Sequence, residues 1–560
     1  MKSIKIIFCI TICLTALFSC KNTPVTNTIS MEITNPILPG FYPDPSICKG
    51  ADGYYMVTST FGYFPGIPVF YSPDMVHWEQ VGNVLNRIDQ LQVDSLGITD
   101  KGTYAPTIEY HNGTYYVACT EVGNRENYIV TAKDPRGPWS ALNVFPEVIG
   151  FDPSLFFDED GRTYIIYNSE APDNKPLYTG HHTIRINEID INKMAVISDN
   201  AILVNGGVDL SKKPIWIEGP HMYKVNEYYY VFAAEGGTCE DHSQVIFRSK
   251  NVMGPFEPWD QNPILTQKGL DPNRIDPVTS TGHADMIQDL NGNWWAIFLG
   301  CRPYTGDHYN LGRETFMAPV KWQDGWPIIN PDFEPVQNSY VFSGAFPTSE
   351  DYTPLNGAFS ISENFKADSL DFTWLTIRAS NNNWYNIDTT AEGSLNMDVL
   401  PYKLIYTNTP SFIGRRQQHK KGFASTQLYF NPETEADKAG LVVFQNIGHY
   451  YFLCQTIKEG KPVVQLLKAE GDSFVEISSE TIANTDHIQL KIESDVDVYR
   501  FFYAEKENNW NEIGPELDAK FLSTNTAGGF TGCLYAMYAF TDNENKDLKV
   551  KYHWFKYSGK

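Results

Sequence analysis

The chain is constrained most by a repeat of short hydrophobic runs rich in aromatic residues. The intervals between them are roughly 50–65 residues, a period that is typical of β-propeller blades. In each unit a turn-forming motif precedes the aromatic run by about ten residues, which indicates a strand–turn–strand unit. The runs occupy residues 53–57, 113–117, 161–165, 227–231 and 292–296. Five units therefore predict a five-bladed β-propeller.

In three of the units the motif before the run places a carboxylate beside a proline. These carboxylates are Asp44, Asp152 and Glu218, and Ala105 and His283 occupy the corresponding slots of the second and fifth units. Because propeller blades converge on a central axis, equivalent positions at the start of each innermost strand come together. The repeat therefore predicts that the three carboxylates share one site.

Length and composition agree with an all-β protein of more than one domain. The chain has 560 residues, 14% aromatic residues, 41 glycines and 34 prolines, which suits many short strands and tight turns. We predict that residues 34–335 form the propeller and that residues 336–560, where the repeat ends, form a β-sandwich. The net charge of −24 disfavours nucleic acid as a partner and favours a neutral substrate.

The N-terminus resembles a bacterial lipoprotein signal. Lysines precede an apolar run that is too short to span a bilayer, and Leu17-Phe18-Ser19-Cys20 is similar to a lipobox. We predict a signal peptide at residues 1–20, lipidation of Cys20 and a polar tether at residues 21–33. An ordinary cleaved signal is the alternative. The protein is then exported to the bacterial periplasm or cell surface, with membrane contact only through its lipid anchor.

Six cysteines follow Cys20 without a metal-binding or redox spacing. We predict that they are buried small hydrophobic residues, and the spacing names no disulfide pair. They are Cys48, Cys119, Cys239, Cys301, Cys454 and Cys533.

Three converging carboxylates suit the cleavage of a glycosidic bond. One protonated acid donates to the leaving oxygen, and one ionised carboxylate activates water or attacks carbon. A third carboxylate raises the pKa of the acid by repulsion and orients it. The alternative is that each motif only forms a turn at a strand entry, which such residues often do.

Six motifs together resemble glycoside hydrolase family 43, closest to its two-domain β-xylosidases and α-L-arabinofuranosidases. They lie in the expected order at residues 35–46, 58–66, 151–155, 218–221, 234–238 and 311–315. The resemblance implies Asp44 as general base, Glu218 as general acid and Asp152 as the carboxylate that tunes and orients the acid. It also implies inversion, for which base and acid stand about 6.5–9.5 Å apart so that a water fits.

The resemblance implies further residues in the sugar pocket. Arg313 matches an arginine of the subsite for the nonreducing sugar, although a surface or interblade salt bridge is an alternative. Phe61 matches a pocket aromatic or, alternatively, a core residue. Tyr104 stands where relatives commonly have tryptophan, which leaves the sugar preference open. Phe530 would close the pocket from the second domain, unless it lies in a strand core.

Two histidines complete the predicted site, and no cofactor is required. His283 matches a residue that binds a hydrated calcium-type ion in relatives, and a neutral histidine bonded to the catalytic carboxylates is the equal alternative. His242 matches a histidine near the site, or else a solvated loop residue.

The function implied is that of an inverting exo-glycosidase that hydrolyses terminal β-1,4-linked xylose from xylo-oligosaccharides. In relatives a loop of the C-terminal β-sandwich narrows the active site, which favours release of single terminal sugars. Two alternatives remain open from the sequence, an α-L-arabinofuranosidase and a non-catalytic surface propeller that binds glycans. The sequence leaves the oligomeric state open.

Overall fold

A computed structural model describes residues 29–90, 101–123, 126–344, 355–379, 383–390, 392–405, 408–483, 487–543 and 547–560. The predicted signal peptide, Cys20 and most of the predicted tether lie outside these ranges. Within them, no helix has the length and apolar character needed to cross a membrane.

Five antiparallel sheets of the described residues form the blades of a propeller. Most of these strands are rich in aromatic and β-branched residues, which pack well on a pleated surface. Their strands are Ser46–Lys49, Tyr54–Val57, Gly66–Ser72 and Glu79–Leu85 in blade 1; Gly102–His111, Thr114–Val122, Glu126–Ala132 and Asn143–Val144 in blade 2; Phe151–Phe157, Thr163–Glu170, His182–Asp190, Ala195–Val196 and Ala201–Asn205 in blade 3; Glu218–Val225, Tyr228–Glu235, Ser243–Ser249, Glu257–Pro258 and Leu265–Thr266 in blade 4; Thr279–Gln288, Trp294–Cys301, Glu314–Gln323 and Trp326–Ile329 in blade 5.

The first strand of each blade lines the central axis. Each packs against the first strands of both neighbouring blades, and blade 1 packs in this way against blade 5. The ring is therefore closed, and the predicted five-bladed propeller is confirmed.

A left-handed residue lies in or just before each first strand, and in blades 2–5 the register against the second strand shifts at this residue. The left-handed residues are Asp44 (φ 55°), Ala105 (32°), Asp152 (53°), Gly219 (57°) and His283 (52°). The sequence prediction is therefore wrong by one residue in blade 4, because Gly219 and not Glu218 holds the equivalent position. A Cβ at Gly219 would lie 2.8 Å from the His283 ring, so this position requires glycine.

The C-terminal part of the chain is a sandwich of two large antiparallel sheets, as predicted. A buried core of aliphatic and aromatic side chains fills the space between the sheets. The described strands of one sheet are Phe359–Glu363, Tyr385–Asp388, Ser394–Asp398, Lys421–Phe430, Ile488–Asp495, Val498–Ala504, Asn511–Glu512, Leu517–Asp518 and Lys549–Gly559, and those of the other are Leu375–Ile377, Ser411–Arg416, Lys438–Asn446, His449–Lys458, Lys461–Glu470, Ser473–Thr481 and Leu534–Phe540.

Helical turns are short in the part of the chain that is described. They are Ile88–Gln90, Pro172–Asn174, Leu210–Lys212, Ala519–Leu522 and Thr524–Ala527.

Propeller and sandwich share both a sheet and a hydrophobic core. The two-residue strand Tyr63–Phe64, which leaves blade 1, pairs with Leu375–Ile377 of the sandwich. Phe41, Phe61 and Tyr63 pack into one cluster with buried side chains of the second domain. The interface therefore fixes a segment of blade 1 next to the sandwich.

The end of the predicted tether is also part of the fold. Ile29–Thr34 pairs antiparallel with Ser339–Gly344, so residues 29–33 form a strand and not a free tether. The alternation of Ile29, Met31 and Ile33 is the period-2 pattern of a strand.

One of the cysteine predictions is wrong. Cys239 is exposed in the turn after Tyr228–Glu235, because it falls in a polar loop and not in an apolar strand. The other five are buried as predicted, and none of the six described cysteines forms a disulfide.

Candidate active site

A small cavity of about 90 Å³ lies at the axis, near the beginning of the first strands of the blades. The cavity brings together all three predicted carboxylates from three different blades. Its described lining residues are Asp44, Phe61, Tyr104, Ala105, Asp152, Trp216, Glu218, Thr238, His283, Arg313 and Phe530.

Asp44 is buried and held by strong donors. Arg313 donates from Nη1 to Oδ1 at 2.7 Å, and the hydroxyl of Ser59 donates to Oδ2 at 2.6 Å. Burial by itself raises the pKa of Asp44, but Arg313, His283 and the Ser59 hydrogen bond outweigh it, so the pKa lies below its usual value. Asp44 is therefore ionised at neutral pH, as a general base must be.

We expect Arg313→Gln to move the acid limb of the kcat/KM profile to higher pH. Because the base must be ionised, kcat/KM falls as the pH drops through the pKa of Asp44, and loss of the guanidinium raises that pKa. The lowered pKa also contributes folding stability above the pKa of an unfolded aspartate, and this stability is lost as the pH falls. Measured pH profiles should show a smaller displacement for Arg313→Lys. An unmoved acid limb in Arg313→Gln would refute the pairing.

The pKa of Asp152 is shifted in the opposite direction to that of Asp44. Burial raises its pKa to about 8, and the carboxylates of Glu218 and Asp44 add to the rise. The backbone N–H of Gly219 and the side chain of Asn168 each donate to Oδ2 at 3.1 Å and only partly oppose this. Asp152 therefore retains a proton near neutral pH, and the Glu218 carboxylate is one cause of this.

Glu218 is the member of this pair that is more open to the cavity, with 18% of its side chain exposed. His242 lies behind it, with Nε2 3.6 Å from Oε1 of Glu218. Since the carbonyl oxygen of Ser280 can only accept, His242 donates to it from Nδ1 at 3.1 Å, and in the neutral ring Nε2 is an acceptor facing Glu218. The ring of His242 therefore packs behind the Glu218 carboxyl, on the side away from the open cavity. His242 is completely buried, so the alternative of a solvated loop residue is wrong.

We expect Asp152→Asn to move the basic limb of kcat/KM to lower pH. The variant keeps the shape of the side chain but removes the repulsion that helps the pair to retain its proton. Activity at pH 7 should fall about 10²-fold or more, since acid catalysis contributes about 10²–10⁴-fold. The profiles of variant and wild type between pH 5 and about 9 provide the measurement. A basic limb at an unchanged pH in Asp152→Asn would contradict this role of Asp152.

An aromatic wall closes the other side of the cavity. Phe530 of the sandwich stacks on Phe61, with ring centroids 5.9 Å apart, and both contact Tyr104 edge-on. Arg313 lies over the rings of Phe61 and Phe530, at 5.8 and 5.6 Å from their centroids. Phe530 precedes the strand Leu534–Phe540, so its predicted alternative place in a strand core is wrong.

Arg313 forms an ion pair with the predicted base Asp44, which joins blade 5 to blade 1. Its alternative, an interblade salt bridge, is therefore confirmed together with its place in the cavity, and a surface salt bridge is excluded. Only 8% of the residue is exposed, and its ion pair with Asp44 lies inside the cavity. Phe61 is a pocket residue and a core residue at once, because it lines the cavity and packs into the cluster between the domains.

His283 lies in the cavity beside Asp44, with Nδ1 3.8 Å from Oδ1. Burial lowers its pKa to about 4, more than the nearby carboxylates raise it, so the ring is neutral at pH 7. Its distance from Asp44 is too long for a hydrogen bond. The described residues contain no group of three or more His, Cys, Asp or Glu that could hold a metal ion, so a calcium-type ion on His283 would depend on waters for its other ligands.

Trp216 and Thr238 line the cavity but were not predicted from the sequence. Trp216 leaves 42% of its surface exposed, two residues before Glu218. A large aromatic residue next to a predicted acid was the available signal. Thr238 lies in the motif at residues 234–238, but nothing in that motif indicates which of its side chains faces the axis.

Ser59 was also not predicted as a site residue, although it belongs to the motif at residues 58–66. Its hydroxyl donates to Asp44 and accepts from the backbone N–H of Ala105 at 2.7 Å. Ser59 thus joins the first two blades behind the base, a role that depends on the spatial contact between blades.

Two protein-family models match the chain. Residues 33–327 match glycosyl hydrolases family 43, and residues 362–558 match the β-xylosidase C-terminal concanavalin A-like domain. The first match covers more than half of the chain and contains every cavity residue except Phe530.

Known proteins are similar over nearly the full length. A xylosidase/arabinosidase of Butyrivibrio fibrisolvens is 36% identical over 93% of this chain and 98% of its own. A non-reducing end α-L-arabinofuranosidase of Bacteroides ovatus is 35% identical over 93% of this chain and 94% of its own. The crystal structure of a xylan β-1,4-xylosidase from Bacillus halodurans superposes with a TM-score of 0.84 at 29% identity, over 94% of this chain and 100% of that one.

Proposed function

Because the chain belongs to glycosyl hydrolase family 43 and is a glycoside hydrolase, we propose that it is an inverting exo-glycosidase that removes terminal β-1,4-linked xylose from xylo-oligosaccharides. The observation that carries the proposal is that the pKa values of two carboxyl groups in one cavity are shifted in opposite directions. The pKa of Asp44 is lowered, whereas that of Asp152 beside Glu218 is raised. Pairs of titratable groups with pKa values pushed apart assign the base and the acid.

In the proposed reaction Asp44 takes a proton from water while the water oxygen attacks the anomeric carbon. Glu218 donates its proton to the glycosidic oxygen as the bond from that oxygen to the carbon breaks. The products are a free sugar of inverted configuration and the shortened chain. Asp44 then holds one proton and Glu218 has lost one, so exchange with solvent restores the starting state.

Asp152 and His242 act through Glu218 in this scheme. Asp152 keeps a proton in the pair by repulsion, and His242 presents an acceptor nitrogen to the carboxyl from the buried side. Arg313 fixes the orientation of Asp44 through its short hydrogen bond. The expected distance between base and acid, about 6.5–9.5 Å, stays a prediction.

Exo action is supported by the wall that the sandwich contributes. Phe530 and the stacked Phe61 close the cavity beside Arg313, which leaves a pocket and not an open cleft at this end. A closed end accepts one terminal sugar, and the faces of the aromatic rings suit the apolar face of a pentose.

Xylose is favoured as the terminal sugar because the C-terminal region matches a domain described for β-xylosidases. The second candidate is an α-L-arabinofuranosidase, favoured by the Bacteroides ovatus relative. The non-catalytic glycan-binding propeller is no longer an alternative, since the chain belongs to a hydrolase family.

Paired substrates test the sugar preference. We expect kcat/KM for 4-nitrophenyl β-D-xylopyranoside to exceed that for 4-nitrophenyl α-L-arabinofuranoside, with xylose as the sole product from xylobiose. A reversed ratio would assign the protein to the arabinofuranosidases and leave the roles of the carboxylates unchanged.

Export to the periplasm or cell surface with a lipid on Cys20, and a hydrated calcium-type ion on His283, remain proposals. Mass spectrometry of the N-terminal peptide from a bacterial membrane fraction tests the first. Activity after chelation and after return of calcium tests the second.

A further inference from the structure

A second groove lies where blade 1 meets the sandwich. Its volume is about 650 Å³, and among the described residues its lining and that of the active-site cavity have no member in common. One wall comes from blade 1 and its strand Glu79–Leu85, and the other from the turn at residues 368–372 and the strand Tyr385–Asp388. Both domains therefore shape it.

Two aromatic side chains are exposed in this groove, Phe372 at 49% and Tyr385 at 38%. Their backbones are fixed. The carbonyl of Phe372 accepts hydrogen bonds from Gln80 and Asn83 of blade 1, and Tyr385 packs against the buried Trp384 with ring centroids 5.0 Å apart. Rings exposed on a backbone that is held in place offer a ligand apolar contact at a low entropic cost.

The polar side chains of the groove suit a neutral ligand rich in hydroxyl groups. Amides both donate and accept hydrogen bonds, as hydroxyl groups do. The groove contains two aspartates and, within the described lining, no lysine or arginine, which disfavours an anion. The polar side chains belong to Asn83, Asn86, Asp368, Asp371, Asn383 and Asn386, with smaller hydroxyls from Ser369 and Thr376. Asn83, Asn386, Thr376 and Asp371 also hydrogen-bond within the protein, and Asp371 does so with Arg415.

One short segment of the chain contributes to both the groove and the active-site cavity. Phe61 lines the cavity, and Phe64, three residues later, lines the groove. At about 3.3 Å per extended residue, the two positions lie at most roughly 10 Å apart. A polymer that occupied the groove would therefore contact the segment that also lines the active-site cavity.

We propose that this groove is a second glycan-binding site, which holds the neutral backbone of a xylan-type polysaccharide through the faces of Phe372 and Tyr385. The proposal rests on the proposed action on xylan-derived chains. It adds a site for the polymer that is separate from the pocket for its terminal sugar.

Affinity electrophoresis in gels that contain soluble arabinoxylan tests the proposal. The parent is the full chain with Glu218→Gln, which leaves the polysaccharide uncut. We expect the gel to retard the parent and the double variant Phe372→Ala with Tyr385→Ala to bind at least about fivefold more weakly, the loss expected for two aromatic contacts. Tyr429→Ala removes a tyrosine of similar exposure elsewhere on the sandwich and should migrate like the parent.

Equal retardation of the double variant and the parent would overturn the proposal, and so would a parent that the polysaccharide does not retard. The same double substitution with Glu218 intact should cleave 4-nitrophenyl xyloside at the wild-type rate, which shows that it folds. If the wild type cleaves neither this substrate nor the arabinofuranoside, the proposed function fails, while the gel still judges the groove independently.

Discussion

Asp44→Asn is expected to lower kcat on xylobiose about 10³–10⁴-fold, the upper part of the range that general acid–base catalysis supplies. Asparagine keeps the shape of the side chain but cannot accept the proton of the attacking water. It also leaves the guanidinium of Arg313 without its buried carboxylate partner. Steady-state kinetics with the purified full chain give the measurement.

The matched control is Asp160→Asn, which removes a carboxylate from an exposed turn of blade 3. It should retain wild-type kcat. A loss below about tenfold in Asp44→Asn would mean that water is activated elsewhere, and Asp44 would then serve only to position Arg313.

Glu218→Gln should lower kcat in a way that depends on the leaving group. Cleavage of xylobiose should fall about 10³-fold, because a sugar alkoxide is a poor leaving group that needs the proton. Cleavage of 2,4-dinitrophenyl xyloside should fall at most about tenfold, because dinitrophenolate leaves without protonation. The ratio of the two losses identifies the acid more sharply than either loss alone.

Asp44→Asn supplies the comparison for this test as well. Loss of the base should lower the rates on both substrates to a similar extent, since both need an activated water. If Glu218→Gln also slowed both substrates equally, Glu218 would not be the proton donor.

The architecture and the meeting of the carboxylates could be predicted from the sequence because a propeller converts a linear repeat into a ring. Asp44 and Asp152 begin equivalent strands, and their shared left-handed backbone conformation bears out that equivalence. The equivalent position in blade 4 was assigned to Glu218, which is one residue too early. Gly219 holds that position, next to the ring of His283, and the glycine was the local signal because it adopts a positive φ readily.

The electrostatics were predictable only in outline. Three carboxylates near one axis imply that one pKa is raised, but burial and hydrogen bonds decide where. The structure puts the raised pKa on Asp152, whose burial is the largest cause, whereas the sequence assigned Asp152 only the tuning of Glu218. The partners that lower the pKa of Asp44, Arg313 above all, come from distant parts of the chain.

The rim of the pocket was the least predictable part. Phe530 reaches the cavity from the second domain, and its stacking on Phe61 depends on how the two domains pack. Trp216 lies outside the recurring motif, on a backbone with positive φ before the first strand of blade 4. Loop side chains of this kind are set by tertiary contacts and not by a periodic pattern.

Proton NMR of the newly formed sugar during hydrolysis of xylobiose tests the central claim most directly. An inverting reaction by Asp44 and Glu218 predicts that α-xylose appears first and that the β-anomer follows only by mutarotation. The α-xylose signal should be lost in Asp44→Asn and in Glu218→Gln. Initial release of β-xylose would mean a retained configuration and a covalent intermediate, which would contradict the assignment of Asp44 as a base acting on water.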